Sequence, residues 1–168
     1  MPEFDLALNT GMRRGEMFGL QWPDIDFPSR FAHVRRGKNG LGRYVRLNTV
    51  AVAALVELLR RSDGKGPVIR NLAGAPLEGA RHWFDKAVAL ADIPDFRWHD
   101  LRHTFASRLA MAGAGIASIQ RALGHKSISM TMRYAHLTED FMQDVVEKIV
   151  RPTAGTSVPA ETDSRTDT

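Results

Sequence analysis

The stretch His99-Asp100-Leu101-Arg102-His103-Thr104-Phe105-Ala106-Ser107 carries two signals at once. Leu101, Phe105 and Leu109 recur at helical spacing, which predicts a helix from Leu101 to Ala112. Between them sit two histidines and an arginine that a plain core helix does not need. Four of the six histidines, His99, His103, His125 and His136, fall within residues 99–136, interleaved with Arg97, Arg102, Arg108, Arg121, Lys126, Arg133 and Tyr134. A solvated basic face is the ordinary account of such a cluster, so the chemistry these groups could perform has to be set against it.

Working outward, Ile116 to Leu123 reads as a helix closed by Gly124, Met130 to Tyr134 as a short helical turn, and Phe141 to Val150 as a last helix. On the other side, a helix from about Gly79 to Ala91 is expected to bury Trp83, Phe84, Ala87 and Leu90, with Pro94 ending any continuation. Thr49 is read as the cap of a helix reaching about Arg61. Residues Phe31 to Leu47 differ: two runs containing Val34, Tyr44 and Val45 flank Gly37-Lys38-Asn39-Gly40-Leu41-Gly42, which predicts a β-hairpin. Val68-Ile69 is read as a short third strand. Toward the start, Phe4, Leu6, Ala7 and Leu8 are apolar at helical spacing before Thr10-Gly11, and Met12 to Leu20 reads as a short helix closed by Pro23. The expected fold class is therefore α+β, mostly helical, with one small antiparallel sheet.

A chain of 168 residues fits one domain of ordinary size. Its 23 Lys and Arg against 19 Asp and Glu give +4, and setting aside residues 153–168 leaves 22 against 16, or +6. This balance leans weakly toward a polyanionic partner such as nucleic acid. Cysteine is absent, which excludes a thiolate nucleophile, a Cys-ligated metal site and a disulfide framework. The longest unbroken apolar run, Val50 to Val56, is far below the roughly 20 residues a membrane span needs. No membrane association is expected, and the cytoplasm is the expected location. Beyond Pro152 almost nothing apolar remains to offset ordering entropy, so residues 153–168 are expected to be a disordered tail.

Cleaving a phosphodiester through a covalent intermediate requires a nucleophile, cations for the non-bridging oxygens and an acid for the leaving oxygen. Guanidinium is planar, permanently charged and bidentate toward phosphate, so two converging arginines could stabilise the transition state without a metal. Arg13 and Arg102 are candidates. A tyrosine is a poor nucleophile at its free pKa of about 10, but cations around the phosphate could help it act near neutral pH. Tyr134 sits among such groups.

Four separated strings now resemble one family: Thr10-Gly11-Met12-Arg13-Arg14-Gly15-Glu16, the His99 to Ser107 stretch, Leu123-Gly124-His125, and Arg133-Tyr134-Ala135-His136-Leu137. In order and in spacing, with 23 positions from Arg102 to His125 and nine from His125 to Tyr134, they are similar to the catalytic domain of the tyrosine recombinases, the phage integrase family. The resemblance runs from about Leu6 to Val150. It implies site-specific DNA recombination by strand cleavage and rejoining, with no cofactor and no metal. Arg13 and Arg102 would clamp the scissile phosphate, with His99 beside them as a proton-handling or phosphate-contacting group. His125 would hydrogen-bond a non-bridging oxygen, and Lys38, on the hairpin turn, would be the general acid for the 5′ oxygen. Tyr134 would attack phosphorus and remain linked as a 3′-phosphotyrosine. His103 and His136 also match motif positions and are read as supporting residues.

The resemblance further implies double-stranded DNA as partner, contacted through Arg35, Arg36, Arg43, Arg46, Arg97 and Lys126, and a homotetramer on paired sites, joined by full-length recombinase or accessory proteins. Family members carry a core-binding domain ahead of this one, and the string holds none, so residues 1–152 are expected to form an N-terminally truncated catalytic domain. Three other readings compete. A truncated, non-cleaving DNA-binding or regulatory module would bind DNA without a covalent adduct. A nicking and closing enzyme like the type IB topoisomerases would relax supercoils without exchanging strands. A zinc hydrolase would use His99 and His103 at i and i+4, but Asp100 stands where such a motif has Glu, and Arg102 would bring positive charge toward the metal.

Overall fold

The computed structural model describes residues 1–35, 42–71, 75–77, 81–138 and 146, with the backbone alone for residues 81–83. The order of elements is α1 (Pro2–Thr10), α2 (Arg14–Phe18), β1 (Ile25–Asp26), β2 (Phe31–Val34), β3 (Arg43–Arg46), α3 (Thr49–Arg60), α4 (Arg81–Leu90), α5 (Trp98–Met111) and α6 (Ile116–Leu123). Short 3₁₀ turns cover Trp22–Asp24, Ile128–Met130 and Met132–Leu137. Among the described residues no helix is long and apolar enough to cross a membrane.

The sheet is antiparallel in the order β1-β2-β3, with Ala32 opposite Val45 and His33 opposite Tyr44. Period-two alternation puts Ala32, Val34 and Val45 in the core and leaves Tyr44 outside. Both strands of the expected hairpin are present, while its connection, residues 36–41, lies outside the described residues. The third strand is Ile25–Asp26 rather than Val68-Ile69. Val68 and Ile69 are buried in the core, but only isolated bridges flank them, Gln21 with Pro67 and Arg70 with Pro76. Proline has no N–H to extend a ladder at either point.

Helix α3 is capped by Asn48, not Thr49: Asn48 Oδ1 accepts the Ala51 N–H at 2.9 Å, and Thr49 is the first helical residue. Asn48 Nδ2 also donates to Asn9 Oδ1 at 2.8 Å, which fastens the end of α1 to the start of α3. Helix α5 begins at Trp98, three residues before its apolar periodicity does. Asp100 folds back to accept the Arg97 N–H at 2.7 Å, and Trp98 packs against Phe18 and Phe84, so capping and aromatic burial extend the helix. Phe84 is buried as expected, but Leu90 is 80 % exposed, while Val88 of the same last turn of α4 packs against the core. Residues 141–145 and 147–150, and the tail, lie outside the described residues.

Two apolar cores result. The larger collects Leu6, Met17, Leu20, Val34, Val45, Leu55, Val68 and Leu101, with α1 packed between α3 and α5. The smaller holds Ala106, Ala110, Ile119, Leu123 and Tyr134. Helix α5 runs through both, and Arg102 and His103 lie between Leu101 in the first core and Ala106 in the second. The candidate site is built at this seam.

Candidate active site

Four segments converge. Helix α1 ends in Gly11, whose φ of 58° turns the chain sharply and whose N–H returns to the Ala7 carbonyl at 3.2 Å. Met12 is buried beyond it, and Arg13 follows in extended conformation as the residue preceding α2. Glu16, one turn into α2, accepts the Arg13 N–H on Oε2 at 2.7 Å and the Arg13 guanidinium on Oε1 at 2.9 Å. The same Oε1 accepts Arg43 Nη1 at 2.6 Å, so a buried carboxylate on α2 joins the first arginine to strand β3.

Arg102 is 3 % exposed. A charge at that depth requires hydrogen bonds, and Arg102 donates Nη1 to the Gly11 carbonyl at 2.5 Å and Nη2 to the Leu123 carbonyl at 2.6 Å. Leu123 is the last residue of α6, where carbonyls lack intrahelical partners and the helix presents its negative end. Arg13 Nη2 reaches the adjacent Gly124 carbonyl at 3.4 Å. Both guanidinium groups are thus tied to the end of α6. Gly124 turns there with φ 62°, and the His125 N–H closes on the Gln120 carbonyl at 3.1 Å, which returns the chain toward the arginines.

His125 Nδ1 lies 2.8 Å from the hydroxyl of fully buried Thr131. The Thr131 carbonyl accepts the Tyr134 N–H at 3.0 Å, setting the 3₁₀ turn that carries the tyrosine. Tyr134 is 5 % exposed in the smaller core, with Oη 2.6 Å from His103 Nδ1. His99 stands edge-on to the His103 ring at a centroid distance of 4.9 Å.

With this constellation in place, residues 3–140 match the model of the phage integrase family. The chain belongs to the phage integrase family. It is 34 % identical over 172 aligned positions to the integrase of Salmonella phage P22, covering 92 % of this chain and 43 % of that one. It is 33 % identical over 159 positions to the tyrosine recombinase XerC of Pelobacter propionicus, covering 91 % and 52 %. Among solved structures, the Tn1549 transposon integrase in complex with circular intermediate DNA superposes with a TM-score of 0.72 at 25 % identity, over 89 % of this chain and 59 % of that one. The chain spans about half the length of the curated relatives it matches. The expected fold, a mostly helical tyrosine recombinase catalytic domain with a small antiparallel sheet, is the observed one.

In this integrase-family site the charges are unequal. Burial, then the nearby Arg13 and Arg43, pull the Arg102 guanidinium down to about 10, which leaves it cationic at neutral pH. Burial, then Arg102 and Arg13, take His125 to about 4, so its ring is neutral. Burial also lowers His99, helped by His103 and Arg102, and lowers His103, helped by Arg133, while Asp100 opposes both shifts. Tyr134 moves the other way: burial raises it, and Arg133 and Arg102 do not fully offset that. The free site therefore keeps Tyr134 as a phenol rather than activating it, and a basic surrounding alone is not enough.

The residues read as DNA contacts are dispersed. Arg97 and Lys126 are exposed. Arg35 pairs with Asp24, and the Arg46 guanidinium lies over the Phe31 ring at 4.5 Å. Arg43 is turned inward: its side chain is 15 % exposed, engaged by Glu16, with Nε and Nη2 buried and without a hydrogen-bond partner among the described residues. Arg36 and Lys38 lie outside the described residues. His136 is exposed. Glu16 and Thr131 were not singled out as site residues from sequence. The three-residue step from Arg13 to Glu16 was a usable signal, whereas Thr131 offered none beyond its place three residues before Tyr134. Among the described residues no three His, Cys, Asp or Glu side chains gather as ligands of a metal.

Proposed function

We propose that this chain is the catalytic domain, over residues 1–152, of a site-specific recombinase that cuts and rejoins double-stranded DNA through a covalent 3′-phosphotyrosine on Tyr134. The observation that supports it is the convergence of Arg13, Arg102, His125 and Tyr134, from four separated segments, around the Leu123-Gly124 turn. Two fixed guanidinium groups neutralise the non-bridging oxygens as charge builds at phosphorus, and they cost no reorganisation because backbone carbonyls already hold them. Neutral His125 donates a hydrogen bond to one of those oxygens, and His99 stands beside them. Tyr134 Oη bonds to phosphorus as the bond to the 5′ oxygen breaks, and Lys38 supplies the proton to that oxygen. A 5′-hydroxyl from a second strand reverses the attack, so rejoining needs neither ATP nor metal.

The exposed arginines and lysines add salt-sensitive phosphate contacts. In the cell the domain works in the cytoplasm as a homotetramer on paired sites, with full-length recombinase or accessory proteins joining the complex. The test is covalent trapping: the chain and its Tyr134→Phe variant are incubated with a library of nicked duplexes whose cleavage releases a short fragment. An SDS-resistant adduct that disappears in Tyr134→Phe is the expected result. Salt-sensitive binding with no adduct would instead establish a non-cleaving module, the reading that the burial of Tyr134 favours.

A further inference from the structure

We propose that His103 is a further catalytic residue, the base that takes the phenolic proton of Tyr134 on cleavage and returns it on rejoining. This assignment rests on the recombinase reading above. Its ground is geometric: His103 Nδ1 lies 2.6 Å from Tyr134 Oη, within the reach required of a general base before any substrate arrives.

The other two histidines of the site are engaged elsewhere. His125 Nδ1 faces Thr131 at 2.8 Å, and exposed His99 meets His103 ring to ring. Both ends of the His103–Tyr134 contact are fixed. His103 follows Arg102, whose bonds to Gly11 and Leu123 lock that turn of α5, and Tyr134 is packed with Ala106, Ala110, Ile119 and Leu123. Tyr134 keeps its proton in the free site, and the proposed role requires the tautomer in which its hydroxyl donates to Nδ1 and the imidazole proton sits on Nε2.

The charged and titratable groups around His103 are Arg133, Arg102, Asp100, His99 and Tyr134. In the empty site the two arginines and burial oppose its protonation, and only Asp100 favours it. A bound phosphodiester adds a negative charge among the arginines and offsets that opposition. His103 then becomes able to accept the proton when there is a phosphorus for Tyr134 to attack. The step balances: the O–H bond of Tyr134 breaks, its proton moves to Nδ1, the Oη–P bond forms, and the P–O5′ bond breaks with its electron pair on the 5′ oxygen, which takes a proton from the general acid. In the reverse reaction the proton returns from Nδ1 to Oη.

The test uses the full chain on the nicked duplex that the trapping assay selects. Single-turnover adduct formation is measured against pH for the wild type, His103→Gln and His103→Ala, with native DNA binding and melting followed in parallel. Gln can accept the hydroxyl's hydrogen bond but cannot take its proton. His103→Gln is expected to bind DNA like the wild type, to form adduct about 10²- to 10⁴-fold more slowly, and to lose the rise in rate with pH that the wild type shows. Added imidazole is expected to restore part of the rate to His103→Ala. If His103→Gln melts early, imidazole rescue of His103→Ala below its own melting temperature decides the matter. Cleavage by His103→Gln at or above the wild-type rate, an unchanged pH profile, or no rescue would overturn the assignment, and a faster variant would make His103 a restraint on Tyr134. Absence of adduct from the wild type would overturn the recombinase reading, and this one with it, whereas adduct from wild type and His103→Gln at equal rates would overturn this one alone.

Discussion

Glu16 holds Arg13 twice, accepting its backbone N–H on Oε2 at 2.7 Å and its guanidinium on Oε1 at 2.9 Å. Arg43 shares Oε1, so a single carboxylate with 3 % side-chain exposure faces two cations, with Arg102 close enough for its own charge to be opposed by both. The site is left with an excess of positive charge, as a phosphodiester requires. Burial pushes the Glu16 carboxyl up, but the bonds from Arg43 and from Arg13 outweigh it and hold it below the ordinary 4.5. Glu16→Gln keeps the shape and removes the counter-charge. It is expected to lower unfolding free energy by about 3 kcal/mol at neutral pH, the scale of a buried pair broken on one side. A folded carboxyl below its unfolded value contributes stability that is present above about pH 4.5 and is lost as pH falls through the folded value. Urea unfolding of both proteins should therefore show a gap that narrows below that pH, and a constant gap would mean that the carboxylate's charge contributes nothing.

Gly11 is where backbone geometry and the second arginine meet. Its φ of 58° suits glycine, its carbonyl receives Arg102, and a Cβ built there would lie 2.3 Å from the Phe105 ring. Gly11→Ala must accept left-handed strain of about 1–2 kcal/mol and displace a ring held in α5, at about 1–3 kcal/mol for overpacking. A stability loss of about 2–5 kcal/mol is expected, together with a loss of adduct formation larger than that of Gly15→Ala, whose added Cβ meets nothing within 4 Å. Paired melting curves and trapping assays on the two variants check this, and equal behaviour would show that the Gly11 turn does not position Arg102.

How far the sequence could be read follows from where its information is local. Gly124 was legible as a helix stop, and it proves also to be the turn that delivers His125, because a left-handed residue performs both tasks. The helix at Ile116–Leu123 kept its bounds for the same reason. Arg13, Arg102, His125 and Tyr134 stood out as candidates because their strings have family spacing, although the bonds that fix the arginines span 91 and 111 positions, which no local period encodes. Arg43 was read as one of the hairpin's DNA-contacting cations, yet it shares a strand face with buried Val45, and its partner Glu16 lies 27 positions away on another element. The start of α5 was missed because Trp98 and Asp100 extend the helix by aromatic contact and capping, not by the period of Leu101 and Phe105.

Thr131 is expected to set the tautomer of His125. With the Thr131 hydroxyl donating to Nδ1 over the observed 2.8 Å, the neutral ring carries its proton on Nε2, the nitrogen left to face a phosphate oxygen. Thr131→Val is nearly isosteric and removes that donor. Losing one such hydrogen bond, at about 1–1.5 kcal/mol, should slow adduct formation about tenfold while DNA affinity stays within about twofold. Thr131→Ser should recover most of the rate. Nitrogen-15 shifts of the His125 ring provide the independent readout: the wild type should show a protonated Nε2, and Thr131→Val a mixture of tautomers. The same tautomer in both proteins would remove Thr131 from this role.

Acid sensitivity gives the last prediction. His125 titrates at about 4 in the fold against an ordinary 6.5, because burial and then Arg102 and Arg13 oppose its charged form. Its protonation therefore favours the unfolded chain: the stability that depends on the neutral ring is complete above pH 6.5 and is lost progressively as pH falls toward 4. Glu16 enters only below 4.5, so the interval from pH 6.5 to 4.5 isolates the histidines. His125→Asn cannot take up the proton and should flatten the fall in melting temperature across that interval. The fall should be reduced rather than abolished, since His99 and His103 are lowered as well and add to the same slope. Adding a duplex that carries an uncut phosphodiester should flatten the wild-type slope too, because its negative charge makes a protonated His125 less costly among the arginines. An unchanged slope in His125→Asn would mean that the ring is not neutral by virtue of its place in the fold, and that the cations tied to the end of α6 do not act on it.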